Sequence, residues 1–372
     1  MSNTQKKNVP ELRFPGFEGE WEEKKLESII KVNSGKDYKH LDKGDIPVYG
    51  TGGYMTSVSE PLSEIDAVGI GRKGTINKPY LLEAPFWTVD TLFYCTPKKE
   101  TDILFILSLF RKINWKVYDE STGVPSLSKQ TINKINRFVP TNKEQQKIGK
   151  FFSKLDRQIE LEEQKLELLQ QQKKGYMQKI FSQELRFKDE NGNDYPNWTN
   201  ERLGEVTTVT MGQSPKSVNY TDNSNDTVLI QGNADIENGL INPRIYTREV
   251  TKLIQKDEII LTVRAPVGKL AMAQINVCIG RGVCSIKGDK FLYYFLEWFA
   301  TQNKWIRFSQ GSTFESISGN DIRNIHIKIP VEDERTKIIK LLNSLDVLNS
   351  KTDLKIQNLK QRKKSLLQKL FI

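Results

Sequence analysis

Two long segments with a heptad pattern, 190 residues apart, restrict the possible folds of this chain more than any other feature. In the first segment apolar side chains alternate at spacings of four and three residues: Ile148, Phe152, Leu155, Ile159, Leu166, Leu169, Tyr176 and Ile180. The second segment repeats the pattern with Ile338, Leu342, Leu345, Ile356, Leu359, Leu366 and Leu370. A narrow apolar seam with period 3.5 predicts two long helices that pair as a coiled coil. At 1.5 Å per residue, Glu144 to Ile180 makes a rod of roughly 55 Å.

Polar residues interrupt both seams and bear on how the helices pair. They are Glu162, Lys173, Asn349 and Lys363. A polar residue in a coiled-coil core fixes register at some cost in stability. Because the two segments are copies, antiparallel packing would relate them by a pseudo-twofold axis, and we favour it over parallel packing. Pro140 and Pro330 stand just before the segments and predict where each helix begins.

The rest of the chain is also duplicated. ELRF occurs at Glu11–Phe14 and again at Glu184–Phe187, and each copy is followed by a tryptophan, Trp21 or Trp198. Strand-like segments with Gly and Pro turns come next in both copies. A repeat this long indicates a duplicated domain rather than a solenoid.

The repeat predicts an α+β chain. We expect two pseudo-repeated mixed α/β domains separated by two long helices packed as an antiparallel coiled coil. A short apolar helix is predicted late in each domain, at Ile103–Trp115 and Phe291–Trp305. The predicted boundaries are residues 1–140 and 182–330 for the domains, and 141–181 and 331–372 for the helices.

The net charge of +10 suggests an acidic partner such as nucleic acid. Residues 141–181 and 331–372 contribute +3 and +5 of it, so a DNA-binding surface on either domain has to be a local cluster. Three cysteines without CxxC spacing argue against a disulfide framework or zinc ribbon and fit a reducing cytoplasm. Two histidines leave little for a metal site, and we predict none.

A glycine-rich stretch, AVGIGRKGT, has the spacing of a dinucleotide-binding turn at Gly69, Gly71 and Gly74. That motif needs a helix directly after it to hold the pyrophosphate. The following residues carry Pro79 and Pro85 and are rich in Thr, Val, Tyr and Phe, which is typical of strands and turns. The pattern therefore disfavours a nucleotide-dependent enzyme, although that reading stays open as one alternative.

Comparison of the two copies gives the glycines another role. The repeat aligns Arg72 with Arg264 and Gly74 with Gly268, so that each copy has a strand, an arginine, a short loop and a glycine. An arginine at a strand end can present its guanidinium to guanine or to phosphate. The alternative is that these are solvated charges on a hairpin.

Loops of both copies supply further candidates for DNA contact, because amide and hydroxyl groups can pair with base edges. In the first copy the candidates are Lys36, Tyr38, Lys39, Arg72, Lys73 and Lys78. In the second copy they are Gln213, Ser214, Lys216, Gln231, Asn233, Arg264, Lys269 and Arg281.

Several motifs in this order resemble the specificity subunits of type I restriction–modification enzymes. They are GQSP, LTVRAPVGKLAM, CIGRGVCSI and the run QGSTFESISGNDIRNIHIKIP, which ends at Pro330 and corresponds to STGVPSLSKQTINKINRFVP in the first copy. The resemblance implies two target-recognition domains, each reading half of a split DNA sequence. It also implies that the long helices separate the domains and bind two methyltransferase subunits, with two restriction subunits in the full complex.

The resemblance further implies that this chain is not itself an enzyme. Asn77–Tyr80 is the nearest match to the catalytic loop of an adenine methyltransferase, and it lacks the first of the paired prolines. We expect no cofactor on this chain, with S-adenosylmethionine and ATP bound by partner subunits. The other open interpretation is a coiled-coil adaptor that binds proteins without specific DNA binding.

Overall fold

One arrangement of strands and helices occurs twice in the chain. The computed structural model describes residues 8–305 and 316–372. Unit 1 comprises the described residues up to Gln164 together with Thr352–Ile372, and unit 2 comprises the described residues of Lys165–Lys351. Each unit therefore holds one globular part and portions of both long helices. The first six residues of the run from Gln310 to Pro330 lie outside the described residues.

Unit 1 contains three small sheets. Its strands are β1 (Glu22–Lys25), β2 (Ile30–Ser34), β3 (Ile46–Gly50), β4 (Gly53–Val58), β5 (Ala67–Gly71), β6 (Tyr80–Leu82), β7 (Trp87–Thr88), β8 (Leu92–Pro97) and β9 (Asn136–Val139). β1 pairs with β9, and β2-β8-β5-β6 form an antiparallel sheet. In the third sheet, β4-β3-β7, the β3–β7 pair is parallel. β5 is buried along its whole length, as its small and apolar residues allow.

Unit 2 repeats this plan with additional strands. They are β10 (Thr199–Arg202), β11 (Val209–Met211), β12 (Tyr220–Thr221), β13 (Thr227–Ile230), β14 (Ile236–Glu237), β15 (Leu240–Ile241), β16 (Tyr246–Thr247), β17 (Leu253–Ile254), β18 (Ile259–Thr262), β19 (Leu270–Met272), β20 (Val277–Ile279), β21 (Val283–Ile286) and β22 (His326–Ile329). The sheet β11-β21-β18-β19 corresponds to β2-β8-β5-β6 and continues into β15-β14. The parallel β13–β20 pair corresponds to β3–β7.

The described residues of each unit include three short helices at equivalent positions of the repeat. They are α1 (Leu26–Ile29), α2 (Ile103–Lys112) and α3 (Lys129–Lys134) in unit 1, with the long helix α4 (Asn142–Phe181) after them. In unit 2 they are α5 (Leu203–Val206), α6 (Lys290–Thr301) and α7 (Gly319–Arg323), followed by the long helix α8 (Glu332–Lys369). The predicted apolar helices are thus confirmed, but both end earlier than expected, α2 before Ile113 and α6 before Gln302.

Side-chain caps explain where the short helices begin. Asp102 accepts a hydrogen bond from the amide of Phe105 at the start of α2, and Asp289 accepts one from the amide of Leu292 at the start of α6. Ser128 and Ser318 cap α3 and α7 in the same way. Such caps satisfy amide groups that the first helical turn leaves without partners.

The two long helices run antiparallel in unit 1, as the repeat predicts. Asp156 and Glu162 of α4 form ion pairs with Lys363 and Lys355 of α8, so residue numbers rise on one helix as they fall on the other. At the C-terminal end of the chain, Phe371 packs edge-on against Trp21, with 6.1 Å between the ring centroids.

A lysine in the seam holds the helices together in unit 2. The Nζ atom of Lys173 lies 2.7 Å from carboxylate oxygens of Glu297 on α6 and Asp346 on α8. The ammonium also lies 5.1 Å from the centre of the Tyr294 ring. Burial raises the pKa of the Glu297 carboxyl, and the charge of Lys173 opposes that rise. The Lys173–Asp346 pair is the repeat equivalent of Lys363–Asp156 in unit 1, which supports the antiparallel arrangement.

All seam residues named from the sequence are buried or half-buried in their units. Those near the ends of the helices pack on the globular parts: Ile148 and Phe152 share the core of unit 1 with Trp21 and Phe105. Leucines off the seam stay exposed, with Leu161 in unit 1 and Leu168 and Leu348 in unit 2. Within the described residues, no helix combines the length and the apolar composition needed to cross a membrane.

Candidate nucleic-acid interface

Candidate DNA-contacting loops meet around one turn in unit 1, residues 88–91. The amide of Lys36 donates to the carbonyl of Thr88 over 2.8 Å, and the amide of Arg72 donates to the carbonyl of Thr91 over 2.8 Å. The amide of Gly74 donates to the carbonyl of Pro125, which adds a loop that was not among the candidates for DNA contact. We call the surface formed by residues 35–39, 50–53, 72–78, 88–91 and 121–125 the unit 1 loop face.

The same arrangement occurs in unit 2 around residues 279–282. The amide of Gln213 donates to the carbonyl of Ile279 over 2.9 Å, and the amide of Arg281 donates to Oγ of Ser214 over 3.1 Å. The amide of Gly280 donates to the carbonyl of Ile230, one residue before Gln231. We call residues 212–216, 231–235, 264–269 and 279–282 the unit 2 loop face.

Two pairs of glycines make these loops possible. A Cβ atom on Gly35 would lie 2.0 Å from the carbonyl oxygen of Val89, and one on Gly212 would lie 2.1 Å from that of Gly280. Only glycine permits this close backbone approach.

The second pair of glycines has positive φ angles. Gly74 and Gly268 have φ angles of +92° and +94°, where L-residues with side chains are strained. Beyond Gly74 the chain turns back into β6, antiparallel to β5, and no helix opens there. The glycines therefore shape the loops, as the comparison of the copies suggests.

Backbone hydrogen bonds correct the predicted alignment of the two arginines. Lys73 forms a β-bridge with Ser126, and Arg264 forms one with Ser316, the residue 190 positions later. The carbonyls of Arg72 and Val263 accept from the equivalent amides of Leu127 and Ile317. Arg264 is thus the counterpart of Lys73, and Arg72 is the counterpart of the buried Val263. Sequence comparison matched the two arginines by residue type, which the backbone register does not support.

Positive charge is concentrated on the unit 1 loop face. Lys36, Lys39, Arg72, Lys73 and Lys78 are all exposed, and none is in an ion pair with a described residue. The same ranges contain only the carboxylates Asp37 and Asp90. Tyr38 is half-buried and packs beside the cluster of Val48, Val58 and Trp87. The local cluster expected from the overall charge balance is therefore present on this face.

The unit 2 loop face carries fewer exposed cations than the unit 1 loop face. Lys216, Arg264 and Arg281 are exposed, as is the amide side chain of Gln213, whereas Ser214, Gln231 and Asn233 are half-buried. The Nζ atom of Lys269 donates to the carbonyls of Asn233 and Ile236 over 3.1 and 2.6 Å. This lysine therefore stabilises the neighbouring loop, and its contact with DNA stays a prediction.

Two aspartate carboxylates stabilise the loops by accepting hydrogen bonds from backbone amides. Oδ2 of the buried Asp235 accepts hydrogen bonds from the amides of Gln231 and Gly232. In unit 1 the Asp119 carboxylate accepts from the amides of Ser126 and Ser121, and these bonds lower the pKa of Asp119 below its ordinary value. Neither Asp119 nor the 121–125 loop was among the candidates for DNA contact, because nothing in their spacing indicates contact with Gly74.

No group of metal-ligating side chains is found among residues 8–305 and 316–372. Cys95, Cys278 and Cys284 are buried and free of disulfides. Burial raises the pKa of the Cys284 thiol to about 12, which disfavours a reactive thiolate there. The loop faces offer cations, amides and hydroxyls, which are groups suited to binding phosphates and base edges.

Comparison with known proteins identifies the repeat. The family model described as the type I restriction modification DNA specificity domain matches residues 18–171 and again residues 195–361. The MjaX specificity subunit of Methanocaldococcus jannaschii, a type I restriction enzyme subunit by name, is 30% identical over 261 residues. This match covers 66% of the present chain and 61% of that protein. The type I restriction enzyme MjaVIII specificity subunit of the same organism is 25% identical over 312 residues, which cover 77% of this chain and 71% of that one.

Solved structures share the fold along nearly the whole chain. The S subunit of a type I restriction–modification system from M. genitalium superposes with a TM-score of 0.69 at 16% identity, covering 98% of this chain and 99% of that one. A chain from a structure of the type I restriction–modification system superposes with a TM-score of 0.56 at 20% identity, covering 96% and 98%. Because both copies of the sequence match one family model, the chain belongs to the type I restriction–modification DNA specificity-subunit family.

Proposed function

We propose that this chain is the non-catalytic subunit that selects the DNA sequence on which a type I restriction–modification enzyme acts. Each loop face reads one half of a bipartite target in double-stranded DNA. The observation that carries the proposal is that both units build three equivalent loops around one equivalent turn, and that each face holds exposed cations without ion-pair partners among the described residues. Both the duplication and the charge are expected of a reader of split sites.

The chemistry belongs to partner subunits in this proposal. Two methyltransferase subunits bind S-adenosylmethionine, and two restriction subunits of the complete enzyme bind ATP. The exposed leucines of the long helices, Leu161, Leu168 and Leu348, are the proposed contacts for the methyltransferase subunits. The proposed place of action is the cytoplasm, where this chain and its partners meet chromosomal DNA.

Selection from random duplex DNA tests the proposal. The full chain, co-purified with its methyltransferase partners, is expected to enrich two short sequences separated by a spacer of fixed length and free composition. An Arg264→Ala variant is expected to relax only one of the two sequences, because Arg264 lies on the unit 2 loop face. Failure of the wild-type chain to enrich any split sequence would instead support a coiled-coil adaptor. Calorimetric binding of a dinucleotide would support the cofactor enzyme.

A further inference from the structure

The guanidinium of Arg72 makes two contacts with neighbouring residues on the unit 1 loop face. Its Cζ atom lies 5.8 Å from the centre of the Phe93 ring, and Nη1 lies 3.4 Å from the carbonyl oxygen of Asp90. Phe93 is itself buried in the core of unit 1, so it provides a rigid support. An arginine supported in this way loses less conformational freedom on binding than a mobile side chain would.

Most of the hydrogen-bonding capacity of this guanidinium is unused. Among the described residues, Nε and Nη2 of Arg72 make no hydrogen bond, and no carboxylate lies within ion-pair distance. The side chain is exposed, beyond the end of β5. It therefore presents a planar set of N–H donors to a ligand outside the protein, while the ring and the carbonyl favour one orientation of the plane.

The neighbouring cations are of a different kind. Lys36 and Lys73 are exposed ammonium groups that lack ion-pair partners among the described residues. An ammonium on a flexible chain suits a phosphate, whereas a planar guanidinium can donate to O6 and N7 of guanine at the same time. In unit 2 the position of Arg72 is taken by Val263, which is 2% exposed. The oriented arginine therefore belongs to unit 1 alone.

We propose that Arg72 is a specificity-determining residue that reads one guanine in the half-site bound by unit 1, and that Lys73 contacts a phosphate. The inference rests on the proposed function, since it assigns chemistry to a loop face already proposed to bind DNA. Because unit 2 has no arginine at the equivalent position, the two half-sites are read by different side-chain chemistry.

The test uses the full chain with its methyltransferase partners and the duplex that the wild-type complex selects. Binding is compared across single base-pair changes for wild type, Arg72→Ala, Arg72→Lys and Lys73→Ala. Arg72→Lys is expected to reduce the preference for one G·C pair in one half-site by about 5- to 150-fold, the range for loss of a bidentate contact. Replacing that guanine with 7-deazaguanine, which lacks the N7 acceptor, should weaken wild-type binding and leave Arg72→Lys little affected.

Lys73→Ala is the matched control, since it removes a positive charge from the adjacent position. It should weaken binding equally at all sequences and reduce the slope of log K against log salt by about 0.9. If Arg72→Ala keeps every base preference and weakens binding equally at all sequences, as expected of Lys73→Ala, Arg72 contacts the backbone and the inference is wrong. If the wild-type complex selects no split sequence at all, the proposed function fails first, so the two failures are distinguishable.

Discussion

Nε and Nη2 of Arg186 each donate to one carboxylate oxygen of Glu334, both over 2.8 Å, and the glutamate side chain is fully buried. Arg13 and Glu144 form the same bidentate pair in unit 1, over 2.8 and 2.7 Å. The arginine of each ELRF sequence thus binds the first turn of the long helix that ends its repeat. This explains why ELRF recurs: its arginine attaches the start of each globular part to the long helix that follows that part.

Removing the arginine from this pair should be strongly destabilising, because it leaves a carboxylate buried without its cation. Arg186→Ala is expected to lower the free energy of unfolding of unit 2 by about 3 kcal/mol. Chemical denaturation followed by tryptophan fluorescence measures the change, since Trp198 also donates to Glu334. Arg244→Ala, an exposed site in the same unit, should change the free energy by less than about 0.5 kcal/mol. Equal effects of the two variants would show that the pair contributes nothing.

Lys173 should contribute far more to the stability of unit 2 than the adjacent Lys174. Lys173→Ala leaves Glu297 and Asp346 facing each other without the ammonium between them, at a site where the lysine is 9% exposed. The expected loss in the free energy of unfolding is about 2 kcal/mol, less than for a fully buried pair, because the side chains of Glu297 and Asp346 are 34% and 37% exposed. Lys174→Ala removes the same charge from an exposed position and should leave stability almost unchanged. Comparable losses would mean that net charge, rather than the buried network, decides stability here.

The order of the 121–125 loop should depend on the ionisation of Asp119. Amide hydrogen bonds from Ser126 and Ser121 lower the pKa of this carboxyl in the folded chain. Its contribution is therefore complete above the unfolded pKa of about 3.9, and it is lost as the pH falls through the lower, folded pKa. NMR titration of the Ser126 amide should show no change near neutral pH and a shift only in acid.

Asp119→Asn supplies the corresponding variant. It should weaken the amide hydrogen bonds at neutral pH, where the wild-type carboxylate is fully ionised. Asp37→Asn, an exposed change on the same loop face, is the control and should leave the Ser126 resonance in place. A Ser126 shift that moves between pH 6 and 8 in the wild type would contradict the role given to Asp119.

The length of the long helices should set the unread spacer of the DNA target. One heptad inserted after Gln164 in α4 and another after Lys351 in α8 would keep the seam in register and lengthen each helix by roughly 10 Å. The spacer should then grow by about three base pairs at 3.4 Å each, and both half-sites should persist. Insertion of a heptad in α4 alone breaks the match between the helices and serves as the control. An unchanged spacer in the double insertion would rule out this relationship.

The long helices could be predicted from the sequence because one heptad period extends over each of them. The seam predicted a helix from Glu144 to Ile180, and α4 runs from Asn142 to Phe181. Burial at every third or fourth residue is a local requirement, so it is visible in the sequence itself. The direction of packing also followed, because duplication of a single unit favours antiparallel pairing.

Contacts between distant residues could not be predicted in this way. Arg13 meets Glu144, 131 residues away, and Gly74 meets Pro125 through backbone atoms that any residue carries. The alignment of Arg72 with Arg264 was wrong for the same reason: side-chain identity suggested one register and the backbone bridges established another. The positive charge and loop position of Lys269 suggested a DNA contact. Only the fold shows that its ammonium donates to two backbone carbonyls.

The central claim is that two loop faces independently read two half-sites. Genome-wide mapping of methylated adenine tests it most directly, in cells carrying the wild-type gene, a unit 1 variant (Arg72→Lys) or a unit 2 variant (Arg264→Ala). We expect one bipartite motif in the wild type, relaxation of one half-site in the first variant, and relaxation of the other half-site in the second. Loss of both half-sites from either single change, or methylation unaffected by deletion of the gene, would contradict the account.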